Sequence, residues 1–390
     1  MKIVFFSNYL SHHQAPFCRE IQKIAGVEFT FVAFEPVKEE RLALGYEDMN
    51  MYPYVLRAYE SDSQYQKMLD LCHEADILIC GNTTDDLLIE RVKTGKPLFI
   101  FSERMFKGGL IHAFSPRVIK RMLKTHTSFK SQPVYLLCAS AFTSADFARL
   151  GAYKNKAYKW GYFPEVKRYE DISAVMSEKK PSSILWAGRL IDLKHPEYVV
   201  KVAQKLKKDG YNFTLNIIGN GVLEEQLRDE IIKNGLEDYV KLCGSMSPKH
   251  VREYMEKSEI FLFTSDRHEG WGAVLNESMN SGCAVVASHI IGSVPFMVQH
   301  GKNGLIYKSG DINDLYEKVK KLLDSPEKVK ELGIAAYGTC ATQWCPENAA
   351  RRFYDLAEAI LNGEESPELF ADGVCSKAEF LKDRWFFYVD

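Results

Sequence analysis

Short apolar runs alternate along this chain with stretches whose apolar positions recur at helical spacing. In the first half, Lys2 to Phe6, Glu28 to Phe34, Asp76 to Cys80, Leu98 to Phe101 and Tyr135 to Ala139 predict strands. Between them, Ala15 to Ile24, Tyr65 to Glu74, Asp85 to Lys93, Pro116 to Leu123 and Ser144 to Leu150 predict helices. The pattern lapses into charged and small residues over 166–182, which predicts a linker. It then restarts, with strands at Ser183–Trp186, Thr214–Ile218, Val240–Leu242, Ile260–Phe263, Cys283–Ala287 and Ile306–Tyr307. Helices are predicted at Glu197–Lys207, Leu223–Asn234, Pro248–Lys257 and Ile312–Leu323. Alternating strands and helices predict two α/β domains, 1–165 and 183–345, each a doubly wound, Rossmann-like sheet. Two such halves imply a central cleft. A last helix, Glu347 to Leu361, and a tail rich in aromatics fill 346–390.

The densest chemistry lies between Ile260 and Ala287. A buried strand is followed by a polar loop, by Gly270-Trp271-Gly272, and by a helical pattern through Val274, Leu275, Ser278 and Met279. A glycine-rich approach to a helix leaves backbone N–H groups at the positive end of its dipole, a ready phosphate site. Glu269 precedes that approach and Glu277 follows it within the helix. Side chains on a helix lean toward its N-terminus, so Glu277 can reach a ligand bound there.

Bases stand at the end of an earlier strand. Arg189 follows Gly188, and Lys194 lies five residues on. A guanidinium fork and a mobile ammonium together suit a diphosphate without a metal. The Gly219-Asn220-Gly221 turn looks like a dinucleotide fingerprint, but Glu224 stands where the third glycine is needed. That argues against a nicotinamide enzyme.

Composition narrows the class. With 390 residues, 46% apolar content and a net charge of −2, the chain reads as an ordinary globular protein with no global pull toward nucleic acid. Nine cysteines without a CxxC pair suggest free buried thiols in a reducing compartment. No signal peptide or spanning run is evident, so a cytoplasmic location is expected. Charge is locally uneven. From Arg104 to Lys130 no acid follows Glu103, while Arg104, Lys107, Arg117, Lys120, Arg121, Lys124 and Lys130 accumulate. This segment, 104–130, reads either as a solvated helix face or as a surface for anionic lipid at the inner face of a membrane.

From Gly188 to about Leu323 the order and spacing of these pieces resemble the donor domain of the family 4 (group 1) glycosyltransferases, which have the GT-B fold. The matching residues are Gly188, Arg189, Lys194, Gly219, Asn220, Gly221, Gly244, Glu269 and Glu277, then Gly292 to Pro295, Gly301, Asn303 to Leu305 and Asp311. The resemblance implies a metal-independent, retaining transferase with no cofactor. It would move a sugar from a nucleotide-diphosphate sugar, UDP by default, to a glycan or lipid-linked acceptor, as in polysaccharide or glycolipid synthesis. Arg189 and Lys194 would hold the diphosphate, Glu277 the ribose, and Glu269 the donor sugar. The N–H groups of Gly272, Ala273 and Val274 would cap the distal phosphate, with Gly270 and Trp271 also in the donor site, and the backbone near Gly244 and Ser245 would read the base. The last helix would cross back to the first domain. Glu103 stands where the family commonly has a His, so its role is either catalytic or as a partner of Arg104. On the same side His12 and His13, which replace a glycine pair, are expected near the acceptor, together with Arg104. A sugar-nucleotide epimerase or hydrolase, or a non-catalytic partner-binding homologue, would share the fold.

Overall fold

The computed structural model describes residues 1–43, 45, 47–109 and 115–388, without the side chains of 40, 43 and 388. Residues 110–114 of the basic segment and the last two of the tail therefore lie outside the described residues. The chain divides into two units: Met1–Glu165 with Trp344–Lys382, and Val166–Gln343 with Asp383–Asp390.

The first unit is a parallel sheet of seven strands: β1 Lys2–Ser7, β2 Glu28–Ala33, β3 Val55–Arg57, β4 Ile77–Cys80, β5 Leu98–Ser102, β6 Val134–Cys138 and β7 Ala157–Lys159. Their order is β3-β2-β1-β4-β5-β6-β7. The central strands β1, β4, β5 and β6 are buried nearly throughout, which is why they read as unbroken apolar runs. Two strands escape the sequence pattern. β3 and β7 are edge strands of three residues each, too short to carry a period.

The tail explains how the β7 edge is protected. Cys375 N–H donates to the Lys159 carbonyl at 2.8 Å, Lys159 N–H to the Ser376 carbonyl at 2.8 Å, and Ala378 N–H to the Ala157 carbonyl at 3.0 Å. The tail thus lies antiparallel along an edge that would otherwise offer unpaired backbone groups. Lys377 Nζ pins it by donating to the Asn155 carbonyl (2.7 Å) and the Tyr158 hydroxyl (2.9 Å). The helix Pro346–Leu361 belongs to this unit, with Phe353 packed among Phe17, Phe99 and Trp160.

The second unit is a parallel sheet of six strands: β8 Lys180–Ala187, β9 Thr214–Ile218, β10 Val240–Leu242, β11 Ser258–Phe263, β12 Ala284–Ser288 and β13 Leu305–Tyr307. The order is β10-β9-β8-β11-β12-β13. A further helix, Pro326–Gly338, goes beyond the elements expected from the pattern. Residues 166–182, expected as a linker, are built into this unit instead. They form the helix Ile172–Ser177 and the start of β8, and Asn280 brackets the Lys167 backbone at 2.8 and 3.0 Å.

Each unit buries a cation where chain enters its central strands. In the first, Arg91 is fully buried and donates to the carbonyls of Cys72, Ala75, Asp76 and Pro97 at 2.8 to 3.1 Å. These carbonyls end the helix Asp62–Glu74 and lead into β4 and β5. In the second, Lys179 donates to the carbonyls of Met255, Ser258 and Ser281 at 2.8 to 2.9 Å, where chain leads into β11 and β12. Removing either cation leaves several buried acceptors without that donor. Arg91→Met and Lys179→Met are each expected to lower unfolding free energy by about 3 kcal/mol or more, measured by urea denaturation. Wild-type midpoints in both variants would contradict this reading.

Candidate functional site

The second unit gathers its chemistry at the C-terminal ends of β8, β9 and β11. There the turns after β8 and β9 lie backbone on backbone. Gly188 N–H donates to the Ile218 carbonyl (3.0 Å), Leu190 N–H to the Asn220 carbonyl (2.8 Å), and Gly219 N–H to the Gly244 carbonyl (2.8 Å). Gly219 has φ +136°, and a Cβ there would stand 1.8 Å from the Gly188 carbonyl oxygen. A Cβ on Gly221 would stand 2.3 Å from the Leu190 oxygen. These glycines are required by close packing of chain on chain, which brings Gly188, Gly219, Asn220 and Gly244 together. Ser245 follows, exposed.

Arg189 projects from this junction, exposed and without an ion pair among the described residues. Lys194 sits on a short turn, Asp192–Lys194, that the β11 side fixes. Trp186 Nε1 donates to Thr264 Oγ1 at 2.8 Å, and that hydroxyl donates to the Lys194 carbonyl at 2.7 Å. Asp266 N–H donates to the Leu193 carbonyl at 2.9 Å. Lys194 Nζ is ion-paired with Glu269, whose same oxygen accepts from Ser265 Oγ at 3.1 Å. Lys194 and Glu269, 75 residues apart in sequence, are therefore direct partners.

Past Glu269 the loop differs in detail from expectation. Trp271, expected among the donor-binding residues, is 1% exposed and turns its ring into the core. Its Nε1 donates to Asn276 Oδ1 at 2.9 Å and its carbonyl accepts from Ser293 Oγ at 2.6 Å, so it shapes the loop from below. Phe296 packs near it, with ring centroids 6.4 Å apart. Gly272 adopts φ +78°, where a Cβ would meet Phe263 Cζ at 2.2 Å. The helix is only seven residues, Val274–Asn280, with Ala273 as its cap. Glu277 lies on it, half-buried, its carboxylate without a hydrogen bond among the described residues. Burial pushes its carboxyl above the usual range, against the pull of Arg252.

In the first unit, Glu103 follows β5. Its partner is Lys107 at 2.5 Å, four residues on, and the Tyr162 hydroxyl donates to its other oxygen at 3.2 Å. Arg104, expected on the acceptor side or as a partner of Glu103, is buried within this unit. It is 3% exposed, lies 4.8 Å over the Phe142 ring and faces Asp146 at 3.7 Å. Asp146 also accepts the N–H groups of Met105 and Phe106, both at 3.0 Å, and so anchors the loop after β5. The His12 and His13 rings are tilted at 46° with centroids 3.6 Å apart, and His13 lies 6.1 Å from the Tyr162 ring. Burial, followed by Arg41, lowers His12 to about 4, and burial with His12 holds His13 well down. Both rings are therefore neutral near pH 7. A cavity of 460 Å³ opens beside Glu103, walled by Thr83, Phe101, Met105, Val118, Met122 and Phe147. Nothing in the sequence pattern pointed to Tyr162, Lys107 or Asp146 as members of this region.

The family model for glycosyl transferases group 1 matches residues 168–339, the segment that carries Arg189, Lys194, Glu269 and Glu277. Over that segment, less than half of its length, the chain is similar to the group 1 glycosyl transferases. An amylovoran biosynthesis glycosyltransferase of Erwinia amylovora, AmsK, is 30% identical over 186 residues, 46% of either chain. An uncharacterized glycosyltransferase of Methanocaldococcus jannaschii is 34% identical over 122 residues, 31% of this chain and 34% of its own. The chain thus spans less than half the length of these curated relatives. Over the whole fold, the crystal structure of Anabaena HepE in complex with UDP matches with a TM-score of 0.66 at 15% identity, covering 92% of this chain and 100% of that one. A Staphylococcus aureus TarM complex that includes UDP gives 0.63 at 13%, covering 91% and 99%. At such identities the likeness is one of fold, and the fold is the GT-B class.

Proposed function

We propose that this chain is a group 1 glycosyl transferase, which moves a sugar from a nucleotide-diphosphate sugar to a hydroxyl of a glycan or lipid-linked acceptor. The observation that carries the reading is the exposed Arg189 beside the Lys194–Glu269 pair at the strand ends of the second unit. The donor's diphosphate carries the charge that Arg189 is open to receive and that Lys194 can turn toward. In the proposed step the bond from the sugar's anomeric carbon to the diphosphate oxygen breaks as the acceptor oxygen bonds to that carbon. The acceptor's proton passes to the departing diphosphate on the same face, so configuration is retained and no enzyme nucleophile forms a bond. Arg189 and Lys194 stabilise the charge that develops on the diphosphate, which is the main way such a site lowers the barrier.

Glu269, freed as Lys194 turns to phosphate, then meets the donor sugar's hydroxyls. Glu277, whose carboxylate is desolvated and without a protein hydrogen bond among the described residues, suits the paired hydroxyls of a ribose. UDP is the favoured nucleotide because both solved structures named above hold it. His12, His13, Tyr162 and Glu103 of the first unit form the acceptor side in this reading, with neutral imidazoles suited to hydrogen-bonding sugar hydroxyls.

Arg189→Ala should lower transfer from UDP-sugars by about a hundredfold or more while leaving the unfolding midpoint unchanged. The transfer assay should run at full rate after chelation of divalent metal. Full activity in Arg189→Ala removes the diphosphate assignment, and loss of activity with chelator removes the metal-free mechanism.

The helix Pro116–Thr125 supports a second element of the proposal, contact with anionic membrane. It exposes Arg117, Lys120, Leu123 and Lys124, while Arg121 is held by Asp85 at 2.9 Å. No helix among the described residues is long and apolar enough to cross a membrane. Each base near an anionic surface contributes about 1 kcal/mol. The protein should float with vesicles of phosphatidylglycerol and not with phosphatidylcholine alone, and Lys120→Glu with Lys124→Glu should abolish flotation. Equal flotation of that double variant would refute the contact.

A further inference from the structure

The residue after Lys194 is unusual in backbone and in surroundings. His195 adopts φ +49° and ψ +53°, the left-handed region that a side chain with a Cβ visits at a cost. Its ring is held from three directions. Nδ1 lies 2.8 Å from Glu197 Oε1, Nε2 lies 3.5 Å from Asp266 Oδ2, and the ring stacks on Tyr198 with centroids 4.5 Å apart and planes at 13°. Only a doubly protonated imidazole can donate toward both carboxylates at once.

Asp266 links this ring to the turn in front of it. Its N–H donates to the Leu193 carbonyl at 2.9 Å, while its carboxylate faces His195 and accepts the His268 N–H at 2.8 Å. Both neighbours of Lys194 in the chain are thus tied to one residue of the β11 loop, and Lys194 itself points to Glu269 on that loop. The charged and titratable groups around the ring are Glu197 and Tyr198 from the helix Pro196–Lys208, Asp266 and His268 from the β11 loop, and Asp192 and Lys194 from its own turn.

We propose that His195 is a positioning residue, whose imidazolium bridges Glu197 and Asp266 and thereby holds the strained turn that aims Lys194 at the donor's diphosphate. The inference rests on the reading of Lys194 as a diphosphate ligand. Loss of the proton leaves one N–H for two carboxylates, so one contact opens and the two acids face each other uncompensated. Hydrogen bonds to Asp266 and then Glu197 raise the imidazole to about 9 against its burial, so the clamp stays closed at neutral pH and opens as pH rises past that value.

The test is calorimetric titration of the full chain with UDP from about pH 7.5 to about pH 10, in wild type, His195→Gln and His195→Gly. Glycine suits the left-handed turn, so the second variant keeps the fold while removing the clamp. Both variants should bind UDP about tenfold more weakly at the lower pH. The gap should close at the higher pH, where wild type has lost the same proton. Comparing variant with wild type at each pH cancels titration of the nucleotide itself. Asp266→Asn should close the gap at a lower pH. Wild-type affinity in both His195 variants, or a gap that stays constant to the highest pH, would overturn the clamp. Unchanged UDP binding by Lys194→Ala, or no UDP binding by wild type, would instead overturn the donor-site reading beneath it.

Discussion

The Thr264 hydroxyl sits between the indole N–H of Trp186 and the carbonyl of Lys194, and the second unit's site depends on that relay. It joins the C-terminal end of β8 to that of β11, neighbours in the sheet. With Trp186 2% and Thr264 1% exposed, neither donor nor acceptor can turn to water instead. The position of Lys194 is therefore set by core packing beneath it. The same logic operates one strand over, where Gly219 and Gly221 let the β9 turn rest on the β8 turn without an intervening side chain.

On that rigid base the charges are arranged with little excess. Lys194 and Glu269 neutralise each other, His195 bridges two acids, and Arg189 projects without an ion pair among the described residues. Lys194 and Glu269 are largely shielded, with side chains 17% and 13% exposed, so their attraction is screened less than that of a surface pair. In the proposed reading a diphosphate would offer Lys194 a stronger partner and release Glu269 for hydroxyl groups. The ion pair can thus be read as a stored form of the two contacts that a donor requires.

Much of this was legible in the sequence, and the exceptions have physical causes. The central strands were found because burial on both faces makes continuous apolar runs, whereas β3 and β7 are too short to leave a pattern. Spacing located Arg189, Lys194, Glu269 and Glu277, but not the pairing of Lys194 with Glu269, because that contact crosses between two strand ends. That the Trp271 indole is buried was not legible from its place between two glycines, because the Asn276 side chain that accepts from its N–H is what makes it stable as core. The charged composition of 166–182 suggested free linker, but a buried lysine ringed by carbonyls satisfies the interior as well as an apolar residue would. The burial of Arg104 was not legible for a related reason. Its acid, Asp146, lies some forty residues away and becomes a neighbour only through the sheet.

The claim that the Lys194–Glu269 pair is what a donor opens is tested most directly by the affinity for UDP, which lacks the sugar that Glu269 would bind. If a diphosphate must draw Lys194 away from Glu269, Glu269→Gln should bind UDP more tightly than wild type, by about threefold to tenfold for a partly buried pair. Unchanged or weaker UDP binding by Glu269→Gln, with wild-type stability, would contradict the account.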